Sequence, residues 1–255
     1  MASIFSKIDE IKKSGRKAAL CIIIETKGST PRKTGSKMIV FDDGDIEGTI
    51  GGGSLELQVI EDAVGVIFSN EPQVFKHALA KDLGMACGGH HLIYIEPINP
   101  ENKLYIFGAG HIGKALAHYT PDFGFTVTLI DHREDIFDES QETKIHCLQS
   151  NYLDATDNLT FDENTFVVVV TPKHSFDEDI LAKCAKKTFA YLGMIGSKSK
   201  IAKARNKYLA DETLTEKELD AVDMPIGIKF NAQTPEEIAL SILAKMIDVK
   251  NSKKL

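Results

Sequence analysis

The feature that most constrains this chain is a glycine-spaced turn between an apolar run and a helical one. Lys103 to Phe107 is short and apolar. Gly108-Ala109-Gly110-His111-Ile112-Gly113 follows at once, and helical spacing continues through Tyr119. The next apolar run, Phe125 to Asp131, closes on an acid. A strand, a Gly-x-Gly-x-x-Gly turn, a helix and an acid about 20 residues further on form one unit, suited to holding a phosphate over a helix start. Gly108 permits the tight turn, Gly110 lets a phosphate approach the backbone, and Gly113 lets helix and strand pack closely. Asp131 is placed to accept bonds from a ribose hydroxyl.

The rest of the second half repeats this rhythm. Lys144 to Leu148, Phe166 to Val170 and Phe189 to Met194 read as further strands, and helical patterns run around Asp177 to Lys187 and Ser197 to Leu209. Strands alternating with helices predict a Rossmann-like parallel sheet with helices on both faces. Thr234 to Val249 reads as a final helix: Thr234 caps it, Pro235 fits the first position and Glu237 completes a capping box. The first half reads as a mixed α/β domain. Ile4, Ile8 and Ile11 share a helical face, and Ala18 to Glu25 is a buried strand. Lys37 to Phe41 and Asp45 to Ile50 flank an Asp-Asp-Gly turn. A helix carries Leu55, Val59, Ile60 and Val64, and Val74 to Leu79 and Leu92 to Ile98 are strands. The turn-rich stretch around Pro97, Asn99, Pro100 and Asn102 places the boundary between residues 1–99 and 100–255.

Composition removes several function classes. The net charge of −7 leaves no basic footprint for nucleic acid. The longest apolar runs are far too short to span a bilayer. Met1 to Lys13 lacks a basic start followed by an apolar stretch, so no secretory signal is read there. Cys21, Cys87, Cys147 and Cys184 stand apart with no CxxC pair. This argues against a structural zinc site and for free thiols in the reducing cytoplasm.

Three further groups carry chemistry. Gly51-Gly52-Gly53-Ser54 precedes a helix, and consecutive glycines can form a nest of N–H groups for an anion. Gly28-Ser29-Thr30-Pro31-Arg32-Lys33 adds hydroxyls and cations, with Arg32 suited to bidentate phosphate contact. Cys87 lies in Gly84-Met85-Ala86-Cys87-Gly88-Gly89-His90-His91, where small neighbours give access and nearby cations favour thiolate, a ligand for soft metal or sulfur chemistry. His90 and His91 point to opposite faces if they begin a strand. The other cysteines read as small buried hydrophobes. Finally, His174 and Asp177 follow the strand ending at Val170. That places them, with the Gly193 to Lys200 loop that holds Ser197 and Lys198, on the same sheet edge as the Gly108 loop.

Taken in order, these stretches resemble the XdhC/CoxI family of xanthine dehydrogenase accessory proteins. The matching motifs are Gly28-Ser29-Thr30-Pro31-Arg32, Gly48-Thr49-Ile50-Gly51-Gly52-Gly53 with Leu55-Glu56, Cys87-Gly88-Gly89, the Gly108 loop, and Thr171 with His174 and Asp177. Gly193 to Ser197 with Lys198 and Lys200, Pro225-Ile226-Gly227 and Thr234-Pro235-Glu236-Glu237-Ile238-Ala239 complete the set. Phe230-Asn231-Ala232 stands where similar members often carry Ile-Gly-Ala. The resemblance implies a chaperone that binds and protects the molybdenum cofactor (molybdopterin), helping its sulfuration and insertion into a molybdenum hydroxylase client. It also implies a homodimer and partnership with a cysteine desulfurase. On this reading no turnover is required of the chain, the pterin phosphate sits on a glycine nest, and Cys87 approaches the metal or the sulfur being passed. Two rivals remain: an NAD(P)-dependent oxidoreductase with His174 as acid or base, and a nucleotide-sensing module without chemistry.

Overall fold

The computed structural model describes residues 4–28, 32–78, 90–137 and 144–252. The chain divides into two compact units, Met1–Pro100 and Glu101–Leu255.

In the first unit the elements run α1 (Ile4–Ser14), β1 (Ala18–Lys27), β2 (Lys37–Phe41), β3 (Ile46–Gly48), α2 (Gly53–Ser69), β4 (Gln73–Ala78) and β5 (His90–Ile98). The strands pair antiparallel in the order β3-β2-β1-β5-β4. Leu55, Val59, Ala63 and Val66 recur on one face of α2 and are fully buried against Cys21, Ile23, Met38, Val40, Ile93 and Ile95. Ile11 of α1 covers the opposite face with Leu20, Ile39 and Phe41. Each Leu, Val, Ile, Met or Phe among them, taken from water, contributes about 1.5–3 kcal/mol, which is why the alternating strand pattern fixes which face meets α2. The Asp-Asp-Gly turn forms the expected hairpin, with Gly44 at φ 86° donating to the Phe41 carbonyl. Strand β3 is shorter than its apolar pattern suggests. It stops at Gly48, whose φ is 87° and where a Cβ would lie 2.9 Å from the Lys37 carbonyl oxygen.

The second unit contains β6 (Asn102–Phe107), α3 (His111–Tyr119), β7 (Phe125–Asp131), β8 (Ile145–Gln149), α4 (Tyr152–Asn158), β9 (Thr165–Val169) and α5 (His174–Cys184). It continues with β10 (Tyr191–Met194), α6 (Lys198–Ala210), α7 (Glu216–Asp220) and α8 (Pro235–Ser252). Its five strands are parallel in the order β10-β9-β6-β7-β8. Both faces are covered. Tyr105, Phe107, Val167 and Val169 face a core completed by α4, α5, α6 and α7. Leu104, Ile106, Phe166 and Val168 face one completed by α3 and α8. This is the Rossmann-like parallel sheet with helices on both faces. Two short helices escape the apolar periodicity: α4 is capped by Asn151 and α7 by a Thr215–Glu218 capping box. The box behind Thr234 forms as read, with Thr234 Oγ1 accepting from the Glu237 N–H and the Glu237 carboxylate accepting from the Thr234 N–H.

Strand order reverses between β6 and β9: from β6 the chain steps outward through β7 and β8, then returns to place β9 on the other side. Open α/β sheets take ligands outside the carboxyl ends of the strands at such a reversal.

Candidate functional site

The Gly108 loop sits at that reversal. Gly108 has φ 111°, and a Cβ there would lie 2.5 Å from the Val170 carbonyl oxygen, so only glycine lets the loops after β6 and β9 touch. A Cβ on Gly113 would collide with the Gly108 carbonyl oxygen and approach Ile106, so helix α3 packs onto β6 only through a glycine. Gly110 differs. Its φ is −73°, and a Cβ built on it meets nothing within 4 Å. Nothing among the described residues requires glycine there, and the space above its backbone is open.

That space is a cleft of about 410 Å³ lined by Ala109, Gly110, His111, Ile112, Lys114 and Arg133 together with Ile136, Val170, Pro172 and Pro235. The first turn of α3 leaves backbone N–H groups without intrahelical acceptors and directs them toward the loop. Among the described residues no Asp or Glu lines the cleft.

Asp131 ends β7 beside the loop but is fully buried. Its Oδ2 accepts from the Ala109 N–H and from Arg133 Nη2, both at 2.8 Å. Its Oδ1 accepts from Arg133 Nε at 2.9 Å and the Arg133 N–H at 3.1 Å. Burial works to raise its pKa, but these donors outweigh it and hold the carboxyl at about 2. The ribose-facing role expected of Asp131 therefore meets a carboxylate whose acceptor positions are filled by the chain itself.

On the other side of the reversal, Asp177 is buried and its Oδ1 accepts from the Thr171 N–H and Oγ1 at 3.0 and 2.7 Å. Its Oδ2 lies 3.3 Å from His174 Nδ1, a close contact rather than an aligned hydrogen bond. Burial pushes the Asp177 pKa up, while Thr171 and His174 oppose it. His174 Nε2 is 2.6 Å from Lys200 Nζ, and the pair borders a separate cavity of about 240 Å³ between α5 and α6. Ser197 caps α6 through its Oγ, and Lys198 is exposed at the first position of that helix. None of His174, Asp177, Ser197 and Lys198 lines the cleft over Gly110.

In the first unit the glycine nest is already filled. The Glu56 carboxylate, from the first turn of α2, accepts from the Ile50 and Gly52 N–H groups at 3.1 and 3.2 Å and from the Thr49 hydroxyl. The Gly51 N–H donates to the Thr49 hydroxyl at 3.1 Å, and the donors around the carboxylate overcome burial and lower the Glu56 pKa. The anion in the Gly51-Gly52-Gly53 turn is thus the chain's own, and a second anion would have to displace it. Arg32 is exposed. Cys87 lies outside the described residues. Just beyond its segment, His91 is fully buried, with neither ring nitrogen hydrogen-bonded among the described residues. It stands opposite His77 in the β4–β5 ladder, and His77 Nε2 is 3.1 Å from Asp62 Oδ2. Burial lowers the His91 pKa, His77 and His90 add to that, and the Arg32 backbone opposes it. As expected from strand alternation, His90 faces the other way, 3.7 Å from Glu25. Among the described residues no group of three His, Cys, Asp or Glu side chains is placed to hold a metal ion.

Sequence reasoning missed Arg133, His111 and Lys114 as cleft residues and Lys200 as the partner of His174. Arg133 carried a usable signal, a guanidinium two residues beyond the acid at a strand end.

The architecture and motifs agree with comparisons to known proteins. Residues 104–246 match the model of the XdhC Rossmann domain, and residues 11–77 match that of the XdhC and CoxI family. The chain belongs to the XdhC and CoxI family. It is 30% identical over 258 aligned residues to YqeB of Escherichia coli (strain K12), covering 98% of this chain and 47% of that protein. It is 28% identical over 159 residues to a Bacillus subtilis (strain 168) protein described as a probable subunit of xanthine dehydrogenase, covering 62% of this chain and 46% of that one. This family member thus spans about half the length of the curated relatives it matches. A crystal structure from Bacillus halodurans, described as a xanthine dehydrogenase, shares the fold with a TM-score of 0.54 and 20% identity, over 99% of this chain and 97% of that one.

Proposed function

We propose that this chain is an accessory protein in the maturation of a xanthine dehydrogenase-type molybdenum hydroxylase, and that its cargo is the molybdenum cofactor. The observation that carries this reading is the open cleft over Gly110 in a member of the XdhC and CoxI family. The cleft accepts a phosphate-bearing ligand on three grounds: unobstructed backbone at Gly110, the start of α3, and the Arg133 guanidinium in its wall. Apolar Ile112, Ile136, Val170 and Pro172 give the ring system a surface. The chain's role is to bind, orient and shield the cargo from water. Cys87 is the candidate contact to metal or sulfur, with a cysteine desulfurase supplying sulfur. The working form on this reading is a cytoplasmic homodimer. No described helix is long and apolar enough to cross a membrane.

The oxidoreductase reading has less behind it. Hydride chemistry needs a proton-transfer group beside the cofactor, and His174 borders the separate cavity instead.

The test is retention. The purified chain is incubated with cofactor released from a donor molybdenum enzyme and passed over gel filtration. Molybdenum and pterin fluorescence co-eluting with the protein supports the proposal. Both eluting at small-molecule volume ends it.

A further inference from the structure

The acid and the arginine at the end of β7 together bear on which ligand this cleft takes. In dinucleotide sites of this architecture, an acid at the end of the second strand accepts the ribose hydroxyls, whereas an arginine nearby accommodates a ribose phosphate. Here both are present, but they are not equally available. Asp131 is 0% exposed and does not line the cleft. Its two oxygens hold four protein donors: the Ala109 N–H, the Arg133 N–H, Nε and Nη2. A carboxylate offers about four lone-pair positions, so no acceptor is left for a ribose hydroxyl.

Arg133 is the group that reaches the cleft. Its side chain is 39% exposed and forms part of the cleft wall. Asp131 fixes the guanidinium plane through Nε and Nη2, and Nη1 has no hydrogen-bond partner among the described residues. A guanidinium held in one plane by a buried carboxylate is pre-organised for an anionic oxygen. The Asp131–Arg133 pair is neutral as a unit, so Arg133 supplies direction. The start of α3 supplies the favourable field.

We infer that the cleft over Gly110 selects a ligand carrying a phosphomonoester beside Arg133 and rejects an unphosphorylated ribose there. This rests on the cofactor-carrier reading of the same cleft. Two sources share that chemistry: the terminal phosphate of a pterin cofactor and the 2′-phosphate of a nucleotide.

The experiment is titration calorimetry at low salt on the full chain with three probes. The first two are NADP+ and NAD+, which differ only in the 2′-phosphate. The third is molybdopterin from a donor enzyme, before and after phosphatase treatment. Binding of at least one phosphorylated probe roughly 10-fold or more tighter than its dephosphorylated counterpart is expected, the scale of a charge-assisted hydrogen bond. Preference in the NADP+ arm assigns a nucleotide phosphate, preference in the pterin arm the cofactor's own. Arg133→Ala should abolish the preference and Arg133→Lys should keep part of it, with thermal unfolding confirming that both variants fold. Three results overturn the inference: NAD+ and dephosphorylated pterin binding as tightly as their phosphorylated forms, Arg133→Ala keeping the preference, or no phosphorylated probe binding. Retention of molybdenum and pterin on gel filtration is read separately. A chain that retains the cofactor without regard to its phosphate sinks this inference and leaves the proposed function standing.

Discussion

Gly108 and Gly110 are two residues apart in one loop, and the structure assigns them opposite costs when substituted by alanine. At Gly108 an L residue must adopt φ 111°, and its Cβ would sit 2.5 Å from the Val170 carbonyl oxygen and 2.9 Å from the Thr171 Cα. Holding a residue in a sparsely populated region costs about 1–3 kcal/mol. Forcing a methyl group into packed backbone adds about 1–3 kcal/mol. The neighbours are backbone atoms of the β9 loop and cannot rotate away. Gly108→Ala should therefore lose roughly 2–6 kcal/mol, a fall in Tm of roughly 5–20 °C for a domain of this size. At Gly110 the backbone is already compatible with alanine and the Cβ meets nothing within 4 Å. Gly110→Ala should leave Tm within a few degrees of the parent, since the reduced freedom of the unfolded chain, about 0.4–1 kcal/mol, opposes the poorer N-cap that alanine makes at the start of α3. Thermal unfolding followed by circular dichroism, without ligand, measures both. Equal shifts, or a larger loss for Gly110→Ala, would refute the claim that the space over Gly110 is open while Gly108 is closed by protein.

Asp131→Ala should destabilise the ligand-free chain by about 2 kcal/mol, because it strands the Ala109 N–H and the Arg133 guanidinium; an unchanged urea midpoint would return the acid to a purely ligand-facing role. His91 is neutral when buried, so its folded pKa lies below its ordinary value of 6.5 and the unfolded chain binds more protons as pH falls. Stability should then be present above pH 6.5 and decline between pH 7 and pH 5 (roughly the onset of His titration). His91→Leu should flatten that decline in urea unfolding, and an identical slope in the variant would dismiss His91 as its source. Asp62, with its pKa raised mainly by burial, acts in the opposite sense at lower pH, so the comparison stays above pH 5. Burial pushes the Cys21 and Cys184 thiols up to about 12. At pH 8 the folded protein should therefore be alkylated by iodoacetamide at Cys147 well before either of them, as read by mass spectrometry, and equal rates at all three would contradict their burial.

The second unit was legible in the sequence because its signals are local and consistent. Apolar runs of strand length, a Gly-x-Gly-x-x-Gly turn and the Thr234–Glu237 box each specify one backbone geometry, and the structure places each accordingly. Helices α4 and α7 were not legible from apolar periodicity because they are too short to show a repeat; their cap residues, Asn151 and Thr215, were the available signal. The site was less legible for a different reason. A sequence shows that Gly52 and Asp131 can bind a ligand, but not that Glu56 and Arg133 reach them first. Competition between internal and external partners is decided by tertiary placement. The same holds for His174: its spacing from Asp177 was visible, whereas its meeting with Lys200 on a different helix was not.

The cargo is proposed to sit in the cleft over Gly110. A valine there would fill the space that a Cβ alone leaves empty, yet it projects into the cleft and not into packed backbone. The direct measurement is molybdenum and pterin content after gel filtration of the parent and of Gly110→Val, each loaded with the same released cofactor and matched for folded fraction. The parent should retain both, and Gly110→Val should lose most of each. Retention by Gly110→Val equal to that of the parent would contradict the claim and move the cofactor away from this loop.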